Sequence, residues 1–69
     1  MSKQLTVRQL SERVLDELHR KSPMTTDELE TATGLAPNDV WAGLMWLETT
    51  GCAMGFYRDW FATDNIVWG

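Results

Sequence analysis

The first third of the chain repeats apolar and polar positions with the period of an α-helix. Apolar side chains recur every three or four residues, which places them on one face of a helix. Thr6 and Gln9 have the spacing of a capping box, so the helix should begin near Thr6. Ser22-Pro23 should end it, because proline disfavours the α region in the residue before it. The pattern therefore predicts a helix over 6–21, with an apolar face made of Val7, Leu10, Val14, Leu15 and Leu18.

Residues 25–53 have the local chemistry of a helix, a tight turn, a second helix and a stop. Thr25 and Glu28 again have capping-box spacing, and Gly34 tolerates the left-handed conformation that follows a helix. Pro37 suits the first position of the next helix, which Gly51 should end. These signals predict helices over 26–33 and 37–50, arranged as a helix-turn-helix. Ala32 is expected to face inward beside the predicted core, which consists of Leu10, Val14, Leu18, Leu29, Val40, Leu44 and Leu47.

Beyond Gly51 the apolar period shortens, and short aromatic runs alternate with turn-forming residues. The run 52–57 should form one strand of a β-hairpin whose tip lies within 58–65. Either 60–62 or 66–68 could supply the main return strand, and the pattern does not separate them. Met24 lies between the first two helices, where an extended residue could pair with a sheet edge. The apolar side chains expected to pack on a face of the sheet are Met54, Phe56, Trp60 and Trp68.

The predicted fold is mainly α with a small β part: one domain over 1–69, with three helices followed by a C-terminal hairpin, or wing. This order resembles the winged helix-turn-helix superfamily. The resemblance depends on the acidic-Leu pair Glu28-Leu29, the turn Gly34 with Val40 six residues later, Leu47-Glu48, and Gly51 before the wing. Thr26-Asp27, Thr33, Leu35 and Leu44 add to it. It implies DNA binding, with the third helix in the major groove.

The charge distribution argues against that implied function. The 69 residues have a formal net charge of −4, and five of the six basic residues lie within 1–21. No Lys or Arg occurs from Ser22 through Tyr57, so the third helix has no cation for DNA phosphates. A DNA-binding regulator remains the alternative, with Asn38 as a base contact. Its candidate nucleic-acid contacts are Arg8, Arg13, Arg20, Lys21 and Arg58.

The outward face of the third helix is predicted to be apolar instead. Trp41 and Met45 are one turn apart, on a surface where polar groups are usual, and Gly43 nearby allows another backbone to approach closely. Exposed aromatic and Met side chains are typical of protein interfaces. The competing interpretation places the indoles of Trp41 and Trp46 in the core. This outcome is expected for Trp46 more than for Trp41. The predicted interface is Asn38, Trp41, Ala42, Met45 and Glu48.

Other functional classes lack supporting residues. No phosphate-binding loop or paired-carboxylate cleft is recognisable, and Cys52 with His19 does not form a zinc-ligand pattern, so no enzyme, cofactor, metal or small-molecule ligand is expected. Cys52 is predicted to be a small buried hydrophobe. The sequence shows no leader or membrane span, which favours a cytoplasmic protein. The function predicted is therefore protein–protein interaction, as a homodimer or with a partner protein, through the third helix and the wing.

Overall fold

Three helices followed by an antiparallel hairpin make up the structure, a computed structural model that describes residues 5–63. The helices are α1 (Val7–Arg20), α2 (Thr26–Thr33) and α3 (Pro37–Thr50), and the strands are β1 (Ala53–Phe56) and β2 (Asp59–Ala62). This confirms the predicted fold class, mainly α with a small β part in a winged helix-turn-helix layout. Trp68 and the possible return strand 66–68 lie outside the described residues.

The helix ends form as the local sequence predicts. The Thr6 side chain accepts a hydrogen bond from the Gln9 N–H at 3.2 Å, and the Thr6 N–H donates to Gln9 Oε1 at 2.9 Å. Thr25 and Glu28 make the same reciprocal pair at the start of α2. Gly34 and Gly51 end α2 and α3 with φ of 73° and 80°, a left-handed conformation that favours glycine. Short-range chemistry thus fixes the starts of α1 and α2 and the ends of α2 and α3.

The core lies where the three helices meet the hairpin. All seven predicted core leucines and valines are buried, and Met24, Ala53, Trp60 and Ala62 join them. Ala32 is exposed, contrary to the prediction. In the eight-residue α2, Leu29 is the buried residue, so the helix presents a narrow face to the core. Each Å² of apolar surface removed from water contributes about 25 cal/mol to stability, so this cluster is the main source of stability.

The helices α1 and α3 approach each other closely at Gly43. A Cβ atom added there would lie 3.1 Å from the Leu10 carbonyl oxygen and 3.2 Å from Val14 Cγ2. The absence of a side chain therefore lets the two helices touch through backbone. The sequence predicted that Gly43 would admit another backbone, and the one it admits is α1 of the same chain.

The hairpin is shorter than the sequence pattern suggested. Phe56 pairs with Asp59, which leaves Tyr57 and Arg58 as a two-residue turn that begins one residue before the predicted tip. Residues 59–62 form the return strand, which decides between the two alternatives. Met24 pairs with Trp60 through hydrogen bonds of 3.0 Å and 2.8 Å, confirming the expected extended pairing. The hairpin is thereby tied to the segment that joins α1 and α2.

Candidate protein-interaction surface

The solvent face of α3 carries a continuous apolar surface. Trp41 and Met45 are 48% and 41% exposed, although they are large side chains on a helix that packs against the core. Residues three and four apart are neighbours on a helix surface, so Ala42, half-buried, lies beside Met45. The predicted interface residues Asn38 and Glu48 are exposed as well. The structure thus places all five predicted interface residues at or near the surface of one helix.

Trp46 extends this surface, contrary to the expectation that it would be a core residue. Its side chain is 45% exposed. The buried residues of α3 are Val40, Gly43, Leu44 and Leu47, and each residue turns the helix by about 100°, which carries Trp46 away from that stripe. We call Trp41, Ala42, Met45 and Trp46 the α3 band.

Polar and acidic side chains surround the α3 band. Asn38 lies one turn before it, and Glu48 and Thr49 lie at its other end, all three exposed. Asp39 and Glu48 are the charged residues of α3, and both are acidic. An apolar centre with a polar rim is the usual anatomy of a protein interface. The charge of this rim favours contact with basic groups.

The indole of Trp41 is held on one side by the core. Its ring meets the ring of Trp60 edge to face, with centroids 6.1 Å apart and an interplanar angle of 85°. Trp60 itself is only 7% exposed, so it offers a fixed support. Edge-to-face aromatic pairs contribute about 0.5–1.5 kcal/mol beyond the area they bury. Trp41 is therefore a partly ordered aromatic side chain, which would lose less entropy on binding than a free one.

A groove of about 420 Å³ leads from the α3 band towards the turn of the hairpin. Trp41 and Trp60 line it together with Asp27 from α2 and Arg58 from the turn. One acidic and one basic side chain therefore line the same groove as two indole rings. The remaining lining residues are Thr25, Thr26 and Tyr57.

The turn of the hairpin displays two further aromatic side chains. Phe56 and Tyr57 are 62% and 94% exposed and meet edge to face with centroids 4.6 Å apart. Tyr57 has φ of 60°, at the first central position of a two-residue turn where glycine is preferred. A bulky side chain in this region of φ is uncommon. The turn thus holds a highly exposed tyrosine at a backbone φ that bulky residues rarely adopt.

Met54 and Phe56 correct the prediction that both pack on a sheet face against the core. Both are exposed, whereas Trp60 is buried as expected. Successive side chains of a strand point to opposite faces, and the two-stranded hairpin covers the core with one face. Gly55 faces Trp60 across the strands, so its neighbours on either side face outward. The alternation of small and large side chains within 53–56 is the sequence signal for this arrangement. It can be interpreted only once the register of the hairpin is known.

The five candidate nucleic-acid contacts are distributed over different parts of the molecule. Arg20 pairs with Glu17 at 3.5 Å and Lys21 pairs with Glu28 at 3.8 Å. Arg13 lines the groove between α1 and α2, beside Asp16 and Glu17 of α1. Arg8 is exposed on α1, and Arg58 shares a groove with Trp41. Acidic neighbours therefore offset part of the basic charge of α1.

The capping box of α2 changes the pKa of one carboxyl group. The Thr25 N–H donates to the Glu28 carboxylate and lowers the pKa of Glu28, and nearby Lys21 lowers it further. The Cys52 side chain is half-buried against the core, where its packing resembles that of a small hydrophobe. Within residues 5–63, His, Cys, Asp and Glu side chains do not form a group of three that could hold a metal ion.

The described helices and the comparisons with known proteins add two findings. No helix within residues 5–63 combines the length and apolar character needed to cross a membrane. Searches against protein-family models, curated proteins and solved structures gave no match. Any functional assignment therefore depends on the surface described above, in which the α3 band is the largest apolar feature of a single helix.

Proposed function

We propose that this chain is a non-catalytic winged-helix module that binds a partner protein through the α3 band, with the wing as a second contact. One observation carries the proposal: two half-exposed tryptophans and a methionine share the outward face of a helix without a basic residue. Membership of the winged helix-turn-helix superfamily, suggested by the motifs around Gly34 and Gly51, is part of it. We place the module in the cytoplasm, where a lone cysteine stays reduced.

The cost of exposing such side chains supports an interaction role. A domain of this length buries only about 60% of its unfolded surface and is marginally stable. Trp41 and Trp46 would add most to stability if they were buried, yet each remains about half in solvent. Aromatic and Met side chains are enriched at interface centres, whereas scattered single hydrophobes carry no such meaning. The contiguity of the α3 band is what favours a partner.

Charge favours a basic partner over self-association through this face. Two copies of α3 would each contribute Asp39 and Glu48 and no cation, since Ser22 through Tyr57 contain no Lys or Arg. Like charges brought together across an interface are unfavourable. A partner helix or loop that combines an apolar anchor with Lys or Arg would complement both the α3 band and its acidic rim.

Selection of peptide ligands tests this proposal. A displayed library of random peptides, panned on the immobilised chain, should yield sequences that combine aromatic or aliphatic anchors with basic residues. Met45→Ala and Trp46→Ala should each weaken binding of the selected peptide by about 30-fold or more, because interface anchors lose about 2 kcal/mol or more on truncation. Val7→Ala, a change at an exposed apolar residue of α1, is the matched control and should leave binding unchanged.

The peptide experiment has two results that would overturn the proposal. One is a selected peptide whose affinity is insensitive to both α3 variants while the fold is intact. The other is a failure of the library to yield any ligand that competes for this face. Trp41→Ala is less informative, because the contact of Trp41 with Trp60 couples binding to stability.

DNA binding is the second candidate, favoured by the layout of the fold alone. In that arrangement α3 would enter the major groove, with Asn38 at a base edge and Arg8, Arg13, Arg20, Lys21 and Arg58 at phosphates. Titration of a labelled duplex at low and moderate salt separates the candidates. We expect weak binding at most. Sub-micromolar affinity with a steep salt dependence would instead favour the DNA-binding function.

A further inference from the structure

The backbone of β1 has hydrogen-bonding groups that point away from the sheet. In an antiparallel sheet the N–H and C=O of one residue point to the same side, and successive residues alternate. Trp60 directs both groups to Met24, so its neighbours in β2 direct theirs to β1. Met54 and Phe56 pair with those neighbours. They therefore direct their backbone N–H and C=O groups to β2. Gly55, between them, must direct its N–H and C=O to the outer edge.

Apart from the short length of β1, the outer edge lacks, within residues 5–63, the features by which proteins usually protect a strand. Charged residues, proline or a covering element normally prevent edge-to-edge pairing. The strand β1 is Ala-Met-Gly-Phe, without charge or proline, and no residue within 5–63 pairs with its outer side. Met54 and Phe56 are exposed on the same face of the hairpin. Within the described part of the chain, the edge therefore combines unpaired backbone groups with exposed apolar side chains.

We propose that β1 pairs antiparallel with β1 of a second copy, about a two-fold axis at Gly55. In this register each Gly55 N–H donates to the Gly55 carbonyl of the other copy, giving two hydrogen bonds. Met54 then lies opposite Phe56 of the second copy, and the contact occurs twice. Sulfur–aromatic contacts of this kind are favourable. The two hairpins become one continuous sheet across the dimer.

Self-complementarity and charge favour a second copy as the occupant of this edge. A two-fold axis at Gly55 matches each Met54 to a Phe56, so the apolar face of the hairpin continues without a break. The chain has a net charge of −4, but β1 is uncharged, so pairing places no acidic residue opposite another. Four-residue strands bury little area, which predicts a weak dimer. This inference does not require a partner protein on the α3 band and goes beyond that proposal.

Disulfide trapping tests the register. In a Cys52→Ser background, chains carrying Met54→Cys are mixed with chains carrying Phe56→Cys under mild oxidation. Directly opposed residues of a non-hydrogen-bonded pair have Cα atoms about 4.5 Å apart, within the range of about 4.4–6.8 Å that a disulfide spans. The proposal predicts a mixed disulfide between the two kinds of chain, in at least tenfold excess over either homodisulfide. A mixed disulfide only about twice as abundant as each homodisulfide, which random pairing of equal amounts of the two chains gives, or no disulfide at all, would overturn it.

Removal of a single backbone donor tests the hydrogen bonds. N-methylglycine at position 55 deletes the outward N–H without adding a Cβ atom. A Cβ atom at this position would lie about 3.1 Å from the Trp60 ring. Ligation at Gly51-Cys52 would provide this chain. Sedimentation equilibrium from about 10 μM to 1 mM should show a dimer of the unmodified chain, weakened at least tenfold by the modification. Equal thermal midpoints would confirm that the modified monomer still folds.

The sedimentation experiment can also overturn the inference. An unmodified chain that stays monomeric up to about 1 mM excludes the pairing, as does an N-methylated chain that dimerises equally well. Trp46→Ala should leave self-association unchanged, because Trp46 lies outside β1. A dimer lost with Trp46→Ala but retained with N-methylglycine would place self-association on α3 instead. Failure of the α3 proposal and failure of this inference are therefore distinguishable.

Discussion

The two long helices have the same length and the same structural role but differ on their solvent faces. Each has 14 residues and buries four of them, and they pack against each other at Gly43. The outward side of α1 is charged, with both signs present. The outward side of α3 carries the α3 band, with acidic residues at its margins. The charged positions of α1 are Arg8, Glu12, Arg13, Asp16, Glu17 and Arg20.

This difference separates what folding requires from what it leaves open. Packing accounts for the buried stripes of both helices, and solvation accounts for the charged face of α1. Neither accounts for Trp46 or Met45, which contribute less to stability when half-exposed than they would in the core. The proposed contact of the α3 band with a partner would account for this surface, which folding within residues 5–63 leaves half-exposed.

On their buried sides, the two helices should respond alike to truncation. Leu18 of α1 and Leu44 of α3 are both fully buried. Replacing either with Ala should lower the free energy of unfolding by about 2–5 kcal/mol, enough to unfold much of a small domain. Urea denaturation followed by circular dichroism measures the change. An unaltered midpoint for Leu44→Ala would contradict the register of α3, and one for Leu18→Ala would contradict that of α1.

The contact between the helices should tolerate little added volume. Gly43→Ala gains about 1 kcal/mol of helix propensity but places a methyl group against the Leu10 carbonyl, and such overpacking costs about 1–3 kcal/mol. We expect a net loss of up to about 2 kcal/mol in the free energy of unfolding. Thr49→Ala, at an exposed position of α3, isolates the effect of propensity and should not destabilise. A more stable Gly43→Ala chain would show that α1 and α3 can separate without cost.

The sequence predicts the helix ends well because their determinants are local. Thr25 and Glu28 satisfy each other's backbone groups within one turn, and Gly51 needs no distant residue to end α3. Trp46 was predicted wrongly because its position depends on how closely α1 approaches at Gly43, a tertiary distance. The turn at Tyr57 was missed because its φ of 60° is typical of glycine, so no local signal marked it.

Substitutions at exposed positions of α1 and α3 should differ in their effect on partner binding more than in their effect on the free energy of unfolding. Glu12→Ala on α1 should change the free energy of unfolding by less than about 0.5 kcal/mol, as exposed substitutions usually do. Trp46→Lys on α3 should lower it by no more than about 1 kcal/mol, because only part of the indole is buried. Thermal melts measure both. A loss from Trp46→Lys as large as that from Leu44→Ala would return Trp46 to the core and remove it from the α3 band.

The smallest predicted effect comes from comparing the two capping boxes. The box of α1 uses the neutral Gln9, whereas that of α2 uses Glu28, whose pKa is lowered by the Thr25 N–H and by Lys21. A lowered pKa in the folded state adds stability that is present above the unfolded pKa of about 4.3 and is lost as the pH falls through the folded value. The α2 box should therefore weaken in acid while the α1 box does not. The thermal midpoint of the unmodified chain should exceed that of Glu28→Gln near neutral pH, and the difference should shrink as the pH falls below about 4. A difference that stays constant across this range would show that the charge of Glu28 does not stabilise the helix.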